Sequence, residues 1–241
     1  MRYYWNFNDL SQRTDEPEWM DTFTLSRHQL EKVLTFLRVT NRYFGGTFTI
    51  LNTLKTWSKR WQKGEAIRIL DIGTGEGDIP RALVDWGRKE GVFLHITGID
   101  LVPEIIDIAK VKSLLYPEIS FKTEDVRNFS PLEKQFDYVI GSLLLHHINS
   151  TEHMSFLRAI DNLSVRGVIL SDLQRSFLSY FSISALCAVI GNHIVRHDGP
   201  LSVRRGFRIE ELNKLIKKSG LSYLEAIKEP WFRLSLKGEK I

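Results

Sequence analysis

The stretch Ile69-Leu-Asp-Ile-Gly-Thr-Gly-Glu-Gly-Asp-Ile79 decides the fold. It opens as an apolar run of strand length, passes through Gly73, Gly75 and Gly77, and ends where a helical pattern begins. Glycine tolerates positive φ and lets a ligand approach the backbone closely. The helix start offers unpaired N–H groups and partial positive charge, which suit a carboxylate. A dinucleotide fingerprint G-x-G-x-x-G counted from Gly73 needs a third glycine at position 78, where Asp78 stands. Asp71 places a second carboxylate just before the first glycine. Two acids oppose a pyrophosphate and suit a cationic, amino-bearing ligand.

Around this stretch, from residue 66 onward, strand-length apolar runs alternate with longer amphipathic ones. Residues 66–72, 93–100, 119–122, 136–142 and 167–172 read as strands. Residues 78–89, 103–115 and 151–163 read as helices, with another at 210–219. Such alternation predicts an α/β, mostly parallel sheet with helices on both faces. Ligands of these sheets lie beyond the carboxyl ends of the strands. The candidate binding residues sit there: Thr74 within the glycine turn, Asp100 and Leu101 after the second strand, Asp125 and Val126 after the third, Ser142 at the end of the fourth. A carboxylate at Asp100 suits the two hydroxyls of a ribose. Asp125 suits an adenine amino group, with Val126 against the ring.

Residues 70–77, Asp100, Asp125 and 136–142 together resemble the four motifs of class I S-adenosylmethionine-dependent methyltransferases. The resemblance covers residues 66–172. It implies a Rossmann-like, seven-stranded sheet with a final antiparallel strand and S-adenosylmethionine as cofactor. It assigns Asp71, Gly73 and Gly75 to the methionine end, Asp100 to the ribose, and Asp125 with Val126 to the adenine, with Gly77 a further cofactor-binding candidate of the same turn. The end of the fourth strand would face the sulfonium.

The acceptor is approached by elimination. Base N-methyltransferases resemble one another in an Asn/Asp-Pro-Pro-aromatic turn after the fourth strand, but this chain has Ser142-Leu-Leu-Leu-His-His147. Pyrimidine C5 chemistry needs a cysteine nucleophile. Cys187 is the only cysteine, and it lies in an apolar run that reads as core. Magnesium-dependent catechol enzymes resemble one another in an acid set of which only Asp172 is present, so no metal is expected. Histidine titrates near neutral pH, which makes His146 and His147 candidate bases. His197, beside Asp198, is a third.

Residues 22–62 read as two helices broken at 41–46, a helical lid over residues 1–62 on a binding domain spanning 63–241. Ser176–Asn192 carries no charge and reads as a buried lid helix over a lipophilic acceptor, with an ordinary core helix as the alternative. It is too short and too rich in serine to span a membrane, although peripheral contact is compatible with it. Residues 193–207, dense in His, Arg and Gly, read as a site loop, so a lid insertion is expected over about 174–207. Arg204, Arg205 and Arg208 at its end would contact phosphate if the acceptor were RNA.

The layout of Asn41-Arg-Tyr-Phe-Gly-Gly46, the Leu-His-His turn, Ser171-Asp-Leu-Gln-Arg-Ser176 and residues 196–205 is similar to bacterial methyltransferases associated with type III polyketide synthases. That resemblance implies O-methylation of phenolic or pyrone lipids. A quinone C-methyltransferase, an RNA methyltransferase and a non-catalytic binding protein are the alternatives. The net charge of +4 in 241 residues is too small to call for nucleic acid. One cysteine excludes an internal disulfide, and residues 1–9 lack the apolar core of a signal peptide, so a cytoplasmic setting is expected.

Overall fold

The computed structural model describes residues 10–129 and 136–240, so the N-terminal segment read above for a signal peptide lies outside the described residues. Seven strands form one sheet in the order β3-β2-β1-β4-β5-β7-β6. They are β1 Ala66–Ile72, β2 Phe93–Asp100, β3 Ile119–Thr123, β4 Phe136–Ser142, β5 Ser164–Leu173, β6 Glu225–Glu229 and β7 Arg233–Glu239. β1 pairs in parallel with both β2 and β4, so the strand order reverses at β1. β7 runs antiparallel to β5, giving the expected mixed edge.

Burial explains the strand sequences. Helices cover both faces of β1 and β4, so Leu70, Ile72, Val139 and Leu170 pack on one side while Ile67, Ile69, Ile140 and Ile169 pack on the other. Helix α4 (Asp78–Glu90) begins at Gly77 and ends at Gly91, both left-handed, with Arg88 and Lys89 in its last turn. α5 (Pro103–Lys112) and α6 (His153–Leu163) complete the crossovers near their expected limits.

The N-terminal block holds α1 (Trp19–Thr22), α2 (Arg27–Tyr43) and α3 (Gly46–Trp57). α2 starts with a capping box between Ser26 and Gln29. Ile50 and Leu54 of α3 belong to the same buried cluster as the sheet residues Ile67 and Ile140, so this helix covers the sheet. α2 instead crosses the ends of the strands, where Leu30 and Leu34 meet Ile105 and Ile108 of α5.

Two readings of the C-terminal half are corrected. The expected site loop is the helix α8 (His193–Arg205), followed by α9 (Ile209–Ser219). The Asn192 side chain caps α8, accepting from the N–H groups of Ile194 and Val195. Its glycine serves packing rather than a turn: a Cβ on Gly199 would lie 2.3 Å from Cys187 Sγ on α7 (Phe177–Ile190). α7 itself is not a buried lid helix. Only Ser179 and Cys187 are buried along it, while Phe177, Leu178, Phe181, Val189 and Ile190 face outward. No helix among the described residues is long and apolar enough to cross a membrane.

Candidate active site

The carboxyl ends of β1, β2 and β4 open into a cavity of about 810 Å³. That lies high in the ~300–1,000 Å³ range of small-molecule sites. Gly73, Gly75 and Gly77 have φ of +66°, +54° and +74°, so the turn after β1 requires them. Asp100 accepts from the N–H of Gly75 and of Val102, each at 3.2 Å. These bonds hold its carboxylate at the mouth of the glycine turn. Asp71 is fully enclosed, and burial, reinforced by Asp78 and Asp100, pushes its carboxyl up to about 8. Leu101, Asp125, Val126 and Ser142 also line the cavity. The structure therefore brings together the binding residues expected from the sequence, with Gly77 as the cap of α4 just behind them.

Beneath the turn lies a polar lock that the strand pattern did not announce. Arg233, fully buried at the start of β7, donates to Ser142 Oγ at 3.1 Å and to the Phe44 carbonyl at 3.0 Å. Ser142 Oγ donates to Asn41 Oδ1 at 2.9 Å, and Asn41 Nδ2 donates to Asp78 at 3.2 Å. The Ser142 hydroxyl is thus occupied internally. The start of α3 against this lock needs Gly46, whose Cβ would collide with Asn41 Oδ1 and crowd Ser142 Oγ. A second tether is Glu76, buried in the glycine turn and paired with Arg38 of α2 at 2.7 Å and with Lys112 of α5. Asp125 is itself paired with Arg127, at 2.6 Å.

The far end of the cavity has a different lining. Val33 and Leu37 of α2, Ile183 of α7 and Ile194 and Val195 of α8 form an apolar wall. At its floor His146 and His147 occupy a 3-10 turn just after β4. Leu143, which enters that turn, has φ of +55°, a strained value for leucine. His146 Nδ1 lies 2.6 Å from Asp172 Oδ1, at the end of β5. Its Nε2 lies 3.5 Å from Glu18 Oε1. His147 Nδ1 lies 2.8 Å from Asp21, and its Nε2 lies 3.9 Å from Glu18 Oε2. Burial alone would depress His146, yet Asp172 and Glu18 carry it up to about 9. Burial would raise Asp172 and Glu18, but the histidines hold Asp172 (through His146) and Glu18 (through His147 and His146) down to about 2.

Glu18 and Asp21 escaped the sequence reading. They stand in a segment with no periodicity, and only the folded chain carries them to the turn after β4. His197 does not line the cavity. It stacks on Trp19 at 3.9 Å and its Nδ1 lies 2.7 Å from Asp198, whose carboxylate caps α1. Arg205 is buried and donates to the carbonyls of Glu16, His146 and His147. Arg204 pairs with Glu16, and Arg208 donates to the Leu10 carbonyl.

Comparison with known proteins agrees with this fold. Residues 69–167 match the family described as a methyltransferase domain. The plantazolicin methyltransferase BpumL, solved with SAH, superposes with a TM-score of 0.64 at 16% identity, covering 89% of this chain and 95% of that one. Magnesium protoporphyrin IX methyltransferase from Synechocystis superposes with a TM-score of 0.55 at 15% identity, covering 82% of this chain and 84% of that one. The fold is that of Rossmann-like methyltransferases, and residues 69–167 carry the match to a methyltransferase domain. Among curated relatives, the malonyl-[acyl-carrier protein] O-methyltransferase of Bacillus anthracis is 27% identical over 117 residues, 48% of this chain and 41% of that protein. The ubiquinone biosynthesis O-methyltransferase of Xanthomonas campestris is 27% identical over 133 residues, 54% of this chain and 51% of that protein. The chain thus spans about half the length of these relatives, or less.

Proposed function

We propose that the chain methylates a hydroxyl of a small lipophilic acceptor, with S-adenosylmethionine as donor. One observation carries this reading. A single cavity joins the glycine turn, Asp71, Asp100 and Asp125 to an apolar chamber whose polar floor is Glu18, His146 and His147. The residues fit the cofactor: Asp100 is anchored by two N–H groups at the mouth of a glycine turn where side chains would intrude. Asp100 would hold the ribose hydroxyls, Asp125 and Val126 the adenine, and Asp71 with the glycine turn the methionine end. When bound, the cofactor supplies an electrophilic methyl group.

The chain supplies orientation, a dry wall and a place for the acceptor's proton. His146 is enclosed, 2% exposed, with its two ring nitrogens turned to Asp172 and Glu18. His147 is 22% exposed, its ring held by Asp21 with Nε2 toward Glu18. His147 is therefore the group in contact with the acceptor. Resemblance to the enzymes associated with polyketide synthases and the O-methyltransferase relatives supports a phenolic or polyketide hydroxyl over a quinone carbon. The internal pairing of Arg204, Arg205 and Arg208 speaks against RNA.

Single-turnover methylation of a panel of phenols, pyrones and quinones tests the reading. His147→Ala is expected to slow transfer by roughly 10²–10⁴-fold with cofactor affinity unchanged. His197→Ala is expected to leave the rate alone. Equal rates for His147→Ala and the parent would remove the histidine from the chemistry.

A further inference from the structure

The histidine floor of the cavity has a shape that a proton acceptor alone does not require. Glu18, His146 and His147 each offer one ligand atom, and the three atoms lie within 4.8 Å of one another. Each ring is turned the same way. Nδ1 of His146 is held by Asp172 at 2.6 Å, and Nδ1 of His147 by Asp21 at 2.8 Å. A carboxylate on one ring nitrogen fixes the tautomer that leaves the other nitrogen free to coordinate, the usual support of metal-bound histidine.

Both Nε2 atoms then face the Glu18 carboxylate, at 3.5 and 3.9 Å. These separations exceed the ~2.9 Å of an N–H···O bond. They approach the spacing of neighbouring ligands around a tetrahedral ion. With metal–ligand bonds of about 2.0–2.2 Å, such neighbours stand about 3.4 Å apart. Charge points the same way. Glu18, Asp21 and Asp172 bring three carboxylates to the two rings, against the single guanidinium of Arg205, which pairs with Glu18 and Asp21 at 4.0 Å. Ser202 Oγ donates to Glu18 Oε1 at 2.9 Å, which leaves Oε2 on the side of His147.

We infer that Glu18, His146 and His147 form a site for a divalent transition ion of the zinc class, opening on the acceptor chamber. Two histidines and one carboxylate supply three ligands and leave a position for an oxygen of the acceptor. Asp172 and Asp21 are positioning residues, acting through the rings they hold. The inference rests on the reading of the chamber as the acceptor site. It gives His147 a different task there: an ion-bound hydroxyl loses its proton at lower pH, as ion-bound water does. It also replaces the metal-free expectation drawn from the catechol-type acid set, because these ligands come from a different turn and from the N-terminal segment.

The test uses the whole chain, stripped with chelator and titrated with Co²⁺, followed by competition between Zn²⁺ and a chromophoric chelator. The expected result is a visible Co²⁺ absorption band at one equivalent, displaced by Zn²⁺. Glu18→Gln and His147→Ala are expected to lose the band and weaken Zn²⁺ by about 100-fold or more. Asp21→Asn is expected to weaken it by about 10-fold. His197→Ala, outside the cluster, is expected to match the parent. Calorimetry with S-adenosylmethionine on each variant reports whether it has folded. Absence of the Co²⁺ band in the parent, or its persistence in Glu18→Gln and His147→Ala, would overturn the inference. Loss of methyl transfer in His147→Ala without any metal binding would leave the proton-acceptor reading in place. Metal binding without cofactor binding would overturn the proposed function instead.

Discussion

At the scale of single residues, Asp71 shows how the site uses an unfavourable group. The carboxyl is fully enclosed and raised from 3.8 to about 8. Below pH 3.8 the folded and unfolded chains both hold the proton and the residue costs nothing. Above it the unfolded chain ionises while burial withholds ionisation from the fold, so stability falls until the pH passes about 8. Asp71→Asn is expected to raise stability by about 1–3 kcal/mol at pH 7.5, and by little at pH 4.5. Thermal melts at the two pH values check this. The same substitution should weaken S-adenosylmethionine, whose cationic groups favour the carboxylate. Cofactor binding near neutral pH should therefore release a proton, seen as a dependence of the calorimetric heat on the buffer. The glycines, Asp71 and Asp100 were legible because they fall in one short stretch or at a strand end. Glu18, Asp21, Asn41 and Arg233 were not: their partners are distant in sequence, and a lone acid or arginine looks like surface.

Helices and strands show the same contrast. β4 and β5 could be read from near-continuous apolar runs, since burial on both faces leaves little polar alternation. β2 alternates, and the edge strand β3 is largely polar, legible only from its place between helices. β6 and β7 are mixed in character, and only family resemblance anticipated the antiparallel edge. α8 was read as a loop because His, Arg and Gly crowd it, yet Asn192 caps it and Ile194, Val195, Leu201 and Val203 are buried along it. The glycine is there for the approach of α7. In an open helix Gly→Ala would gain up to about 1 kcal/mol. Here the new methyl would meet Cys187 Sγ at 2.3 Å, so Gly199→Ala is expected to cost about 1–3 kcal/mol instead. With Cys187→Ala the sulfur is gone, and the next neighbour of the methyl, Ile183 Cγ2, stands at 3.3 Å. The double variant should recover most of the loss in a denaturant melt. An equal loss in the two backgrounds would refute this account of α7 and α8 packing.

On the proposed function, the whole molecule joins two chemistries in one cavity. The reversal of strand order at β1 opens the cofactor end, and the N-terminal segment with α2, α7 and α8 closes the acceptor end. Arg205 binds these parts together through carbonyls of both the N-terminal segment and the histidine turn. The central claim is that the cofactor end holds S-adenosylmethionine. Titration calorimetry with S-adenosylmethionine and with NAD on the parent and on Asp100→Ala tests it most directly. One equivalent of S-adenosylmethionine should bind with micromolar affinity, with no heat from NAD. Asp100→Ala should weaken binding by roughly 2–4 kcal/mol, through loss of charge-assisted bonds to two hydroxyls. NAD bound in preference to S-adenosylmethionine, or equal S-adenosylmethionine affinity in Asp100→Ala and the parent, would contradict it.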